Sequence, residues 1–138
     1  MRCVIDTNGL VRCVPNNGNY RWLYKAWQKK KFVWVFSNEI LTEYHEVIGR
    51  EYSETAAKLV TDILLASHNH LRIEQPSFKW QLVEADPDDN KFVDCTIASS
   101  ADYLVSDDTD ILNLGKIKGL FPPISIIDFE EFRKILKV

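Results

Sequence analysis

The chain has 138 residues, 46% hydrophobic and 27% charged, with a formal net charge of −3. That suits one globular domain, 1–138, with a core of its own, and excludes collagen-like and disordered classes. No apolar run approaches the roughly 20 residues of a membrane span, and three cysteines without CxxC spacing argue against a disulfide framework or a thiolate zinc site.

Arg2 to Asp6, RCVID, is a continuous apolar run closing on a carboxylate, which predicts a strand covered on both faces. With a strand starting at residue 2, no signal peptide is expected and the expected location is cytoplasmic. Thr7, Asn8 and Gly9 predict a turn, Leu10 to Val14 one or two helical turns, and Pro15 to Gly18 a loop. Asn19 to Lys30 has Tyr20, Leu23, Tyr24 and Trp27 at helical spacing, with Arg21, Lys25 and Lys29 on its basic side. That side is either a solvated face or a contact for phosphates.

Phe32 to Phe36, FVWVF, predicts a second buried strand, and Ser37 or Asn38 the cap of a helix from about Glu39 to Gly49. Ser53 caps the next helix, to about Ser67, and Leu71 to Glu74 is a third strand. Pro76 to Ala85 fits either a turn or an extended edge. Asn90 to Ala101 reads as a helix, Tyr103 to Val105 as a fourth strand and Thr109 to Leu114 as a short helix. Ile124 to Ile127 is the fifth strand, and Asp128 with Glu131 fits a capping box for a final helix to Leu136. Strands alternating with helices predict an α/β fold, a parallel sheet with helices on both faces.

The acids are not spread evenly. Eight of the eleven aspartates fall between Asp86 and Leu112, so the mild net charge hides an acidic site on a less acidic remainder. At about 100° per residue, Asp94 falls on the apolar arc of Val93, Ile97, Ala98 and Ala101. A carboxylate facing a core is costly unless something compensates it. Ligands of open parallel sheets sit beyond the carboxyl ends of the strands. Asp6 ends the first strand, Asp108 lies just past the fourth, Glu43 is one turn into the helix after the second, and Asp94 is on the helix entering the fourth. Asp107 and Glu46 are the alternatives to Asp108 and Glu43. Four converging acids repel one another, and oxygen-only ligands favour Mg²⁺ or Mn²⁺, which can activate water against a phosphodiester.

The blocks MRCVIDTN, SNEILTEYHEVIGR, DPDDNKFVDCTIA and YLVSDDTDIL resemble, in order, those of PIN-domain ribonucleases, in particular the bacterial toxins of toxin–antitoxin pairs (VapC-like). The segment with Arg12 and the Pro15 to Asn19 loop departs from the family pattern. The resemblance implies a three-layer α/β/α domain around a five-stranded parallel sheet. It implies Asp6, Glu43, Asp94 and Asp108 as catalytic metal-binding acids, with Asn8, Asp89, Ser106 and Asp110 in support. For Asp89 and Asp110 the bland alternative is helix capping; for Asn8 it is a turn. The activity implied is a Mg²⁺- or Mn²⁺-dependent endoribonuclease. The partners expected are an RNA substrate, bound in part by Arg21, Lys25 and Lys29, a cognate antitoxin protein and a second copy of the chain. No membrane is expected. The rival readings are a non-catalytic PIN module and a phosphatase or receiver-like domain with an acceptor aspartate, which a trapped phospho-aspartate would reveal.

Overall fold

A computed structural model of the protein describes residues 1–74 and 78–138. Five strands form one parallel sheet: β1 (Arg2–Ile5), β2 (Val33–Ser37), β3 (His70–Ile73), β4 (Tyr103–Val105) and β5 (Ile126–Ile127), in spatial order β3-β2-β1-β4-β5. The helices are α1 (Thr7–Cys13), α2 (Arg21–Gln28), α3 (Asn38–Glu51), α4 (Glu54–Ala66), α5 (Asn90–Ser99), α6 (Thr109–Leu114) and α7 (Phe129–Leu136). The continuous apolar strands explain the layering, because Val4, Val35 and Leu104 are fully buried at the sheet's centre and need cover on both sides. Right-handed crossovers put α1 to α4 on one face and α5 and α6 on the other. The packing agrees: α1 lies on α2 and α3, α3 on α4 and α2 on α7, while α5 lies across β1, β2 and β4.

The strand order places the site. The chain steps from β1 through β2 to β3 on one side, then returns to start again with β4 on the other. The carboxyl ends of β1 and β4 are therefore where the winding reverses and where the flanking loops diverge to leave a crevice. Val4 pairs with Leu104 and Ile5 with Val105, so Asp6 and Ser106 leave the sheet side by side. Beneath them, Tyr44 Oη donates to the carbonyl of Ile5 and accepts from Trp34 Nε1 at 3.2 Å, tying α3 to the sheet just below the rim.

Several local features differ from the sequence expectation. Thr7 to Gly9 is not a turn but the start of α1, because the Asp6 carboxylate accepts from Thr7 N and caps the helix. Gly9 lies inside that helix because a Cβ there would meet the Phe129 ring at 2.2 Å; its small size lets α7 close under α1. Helix α5 ends at Ser99, with Ser100 in the left-handed region as its cap. It is covered on more than one side: Phe92, Val93, Cys95, Thr96 and Ser99 are buried while Ala98 is exposed. Of the expected turn or edge from Pro76 to Ala85, Pro76 and Ser77 lie outside the described residues. Residues 78–85 form neither a helix nor a strand; they run along α5, where Asn90 exchanges hydrogen bonds with the backbone of Val83. Cys3, Cys13 and Cys95 are free and buried. Among the described residues no helix is long and apolar enough to cross a membrane.

Candidate metal centre

Asp6 is the residue on which the site is built. It is 6% exposed, at the junction of β1 and α1, and each oxygen has a partner. Oδ1 accepts from Thr7 N at 2.8 Å and Oδ2 from Ser106 Oγ at 2.7 Å. Ser106 in turn accepts from Asp108 N at 2.9 Å, so one buried hydroxyl sets the spacing between the acids of two strands. Asp108 caps α6 through Oδ1, which accepts from Asp110 N and Ile111 N; capping fixes its rotamer and leaves Oδ2 free of that duty. Asp107 is turned away, accepting from Phe129 N and Tyr20 Oη. Across the cleft, Glu43 reaches in from α3 and accepts from Thr7 Oγ1 and from Lys91 Nζ, while Glu46 is exposed.

Asp89 completes this group. The last residue of a short 3-10 turn (Pro87–Asp89), it opens α5 without capping it through its side chain. Its Oδ2 is buried and has no hydrogen-bond partner, an arrangement that costs free energy in a carboxylate unless a cation or proton meets it. Burial first, and then repulsion from Asp108, Asp86, Asp6 and Asp110, pushes its pKa up to about 7. Asp6 is pushed up to about 6 by burial, against the hydrogen bonds from Ser106 and Thr7 and with added repulsion from Asp108 and Glu43. One oxygen each of Asp86, Asp89 and Asp110 lie within 4.8 Å of one another. Asp6, Glu43, Asp88, Asp89 and Asp108 line one cleft of about 400 Å³, with Arg12 and Arg50 at its exposed edge. An orphaned buried carboxylate oxygen in a set of oxygen donors fits a hard divalent cation.

Residues 2–110 match the family model of the PIN domain. The chain belongs to the PIN-domain family. No curated protein matches it. Among solved structures, the PIN-domain chain is similar to VapBC2 from Rickettsia felis bound to a DNA fragment from their promoter, at 14% identity and a TM-score of 0.64, covering 93% of this chain and 98% of that one. It is also similar to VapC20 of Mycobacterium tuberculosis, described as a sarcin-ricin loop cleaving toxin, at 14% identity and a TM-score of 0.61, covering 84% and 97%. At such identities the likeness is one of fold, and it extends over nearly the whole PIN domain.

Of the expected site residues, the structure brings together Asp6, Glu43, Asp89 and Asp108, with Ser106 linking two of them and Asn8 on the lining. Asp110 joins through the Asp86–Asp89–Asp110 group. Asp94 does not line this cleft. It is buried, as its position on an apolar arc predicted, but it opens onto a neighbouring groove with Glu39, Lys79 and Glu84 and accepts from Trp80 N at 3.0 Å. Burial raises its pKa and the Trp80 hydrogen bond opposes that. The expected RNA contacts of α2 also lie elsewhere. Arg21 donates to the carbonyls of Cys13 and Val14 and stacks on Tyr24, closing the end of α1. Lys25 and Lys29 are exposed, and Trp27 between them bonds to Asn69 just before β3, so the end of α2 that carries Lys29 sits at the amino end of the sheet. Thr7, Arg12, Arg50, Asp88 and Lys91 were missed; DPDDNK is the stretch that carried the signal for Asp88, Asp89 and Lys91.

Proposed function

We propose that the protein is a Mg²⁺- or Mn²⁺-dependent endoribonuclease, the toxin of a toxin–antitoxin pair. The observation that carries this reading is the unpartnered, buried Asp89 oxygen in the cleft that Asp89 lines with Asp6 and Asp108, at the point where the sheet reverses its winding. Membership of the PIN-domain family and a fold like that of VapC20, described as a toxin that cleaves the sarcin-ricin loop, support it. Asp6, Asp89 and Asp108 would hold the ion, with Glu43 facing them. When bound, a divalent ion supplies Lewis acidity for hydrolysis of a phosphodiester. The chain's own part is orientation. Ser106 and Thr7 N fix both oxygens of Asp6, the α6 cap fixes Asp108, and Thr7 with Lys91 fixes Glu43. Arg12 and Arg50, which line the cleft at its edge, would hold flanking phosphates of an RNA strand. A cognate antitoxin and a second copy of the chain are the partners this reading expects, and the cytoplasm is its location.

The test is incubation of a structured RNA pool with Mg²⁺ or Mn²⁺ and mapping of the cut sites. Cleavage is expected to be abolished by a chelator and by Asp6→Asn or Asp89→Asn. Cleavage that persists in both variants would remove the centre from the reaction.

A further inference from the structure

Glu43 differs from Asp6, Asp89 and Asp108 in that a basic side chain of the chain itself engages it. Oε2 accepts from Thr7 Oγ1 and Oε1 from Lys91 Nζ at 2.7 Å, and the same ammonium donates to Asp88 Oδ1 at 3.0 Å. This is no surface ion pair: the side chains of Lys91 and Glu43 are 11% and 17% exposed. An ammonium is strongly hydrated, and enclosing it is costly unless carboxylates surround it. Such enclosed pairs add little net stability over apolar packing, so stability alone gives a weak reason for a lysine here. Its reach from the neighbouring groove to Glu43 and Asp88, two acids that line the acidic cleft, gives a better one.

Asp6, Asp89 and Asp108 are different. Among the described residues none of them pairs with a base. Asp6 and Asp108 accept only from neutral donors, and Asp89 keeps an oxygen with no donor at all. The charge of the cleft is thus balanced on one side by the chain and on the other side not. Two-metal centres hold their ions about 4 Å apart and share carboxylates between them. A second ion beside Glu43 would have to displace Lys91 from Oε1 and lie against its ammonium, and like charges at such range inside a protein repel strongly.

We propose that Lys91 takes the place of a second divalent cation. Its ammonium is the fixed counter-charge of Glu43, and the cleft binds one divalent ion, on the side of Asp6, Asp89 and Asp108. Lys91 is then a positioning residue acting through Glu43 and Asp88. This rests on the reading of the cleft as a metal-dependent nuclease centre.

The test counts Mn²⁺ ions by calorimetry and by electron paramagnetic resonance on the whole chain, in wild type, Lys91→Met and Lys91→Arg. One ion is expected in wild type and in Lys91→Arg, and two in Lys91→Met, whose side chain keeps the length and loses the charge. Adding Glu43→Gln to Lys91→Met is expected to return the count to one. One ion in both wild type and Lys91→Met, at unchanged affinity, overturns the role of Lys91 and leaves the metal centre standing. No ion in wild type overturns the centre itself. Should Lys91→Met fail to fold, wild type at saturating Mn²⁺ still decides: an isolated-ion spectrum supports the proposal, and a spin-coupled pair overturns it.

Discussion

Asp89 and Asp94 are five residues apart on one turn and helix, and they pose the sharpest question at the scale of single residues. Asp94 is buried and Asp89 is half-buried with one enclosed oxygen, and their surroundings differ. Asp94 has a backbone donor in Trp80 N, whereas one oxygen of Asp89 has none. Asp89→Asn is expected to abolish stabilisation by Mn²⁺ and to reduce cleavage at least tenfold, while Asp94→Asn keeps both within a few-fold of wild type. Thermal melts with and without Mn²⁺, beside initial cleavage rates, check this; a dead Asp94→Asn with a normal Asp89→Asn reverses the assignment. Asp6 gives a prediction in pH. Its folded pKa, raised from 3.8 to about 6, means that the folded chain holds this proton more tightly than the unfolded chain. The proton's contribution is full below about pH 4 and is lost as pH rises through 6, a fall of roughly 3 kcal/mol. In metal-free protein the stability of wild type relative to Asp6→Asn is therefore expected to drop between pH 4 and pH 7, by urea unfolding at each pH. A flat difference over that range rules out a buried, proton-holding Asp6.

The helices show why some of the site was legible and some was not. Caps are local: Ser37, Ser53 and Asp128 accept from the backbone of the third residue on, and a side chain three residues from its partner can be read from sequence spacing. The run of RCVID likewise marked a buried strand and the acid at its end. What failed needed knowledge of a second element. The arc of Val93, Ile97, Ala98 and Ala101 predicts a core face that carries Asp94 to the rim. Helix α5 is instead covered on several sides, and residues 78–83 rather than the rim meet Asp94. The basic side of α2 read as a surface for phosphates, but Arg21 spends its guanidinium on the carbonyls at the end of α1, a contact eight residues away that no periodicity reveals. Arg21→Gln is accordingly expected to lower stability by about 1–2 kcal/mol, the cost of two charged hydrogen bonds and a cation–π contact, and to leave the salt dependence of RNA binding unchanged. Arg12→Gln combined with Arg50→Gln is expected to do the opposite, weakening binding and flattening its dependence on salt. Filter binding at several salt concentrations, with urea unfolding alongside, separates the role of Arg21 from that of Arg12 and Arg50.

At the scale of the molecule, the acids of the cleft come from four separate parts of the chain: the end of β1, the second turn of α3, the entry to α5 and the entry to α6. Each part leaves the sheet at its carboxyl rim, so the repulsion among them acts to open the crevice on which the fold is centred. On the proposed reading a cation there would do more than fill a site. It would offset that repulsion, so its binding free energy would add to that of folding. At a concentration one hundred times its Kd, a ligand that binds only the folded chain adds about 2.7 kcal/mol. For a domain of this length that is a rise in Tm of roughly 8 °C. The rise is expected with Mn²⁺ and with Mg²⁺, to be reversed by a chelator, and to vanish in Asp89→Asn. It should also grow from pH 5 to pH 7.5, because Asp6 and Asp89, with pKa values raised to about 6 and about 7, must lose their protons before they can serve as ligands. Scanning calorimetry at matched ionic strength measures it, with Ca²⁺ and Na⁺ as controls for general screening. A Tm indifferent to Mn²⁺ at pH 7.5, or one raised equally by Na⁺ at the same ionic strength, would mean that the acids of this rim are held apart by the scaffold alone and that no ion bridges them.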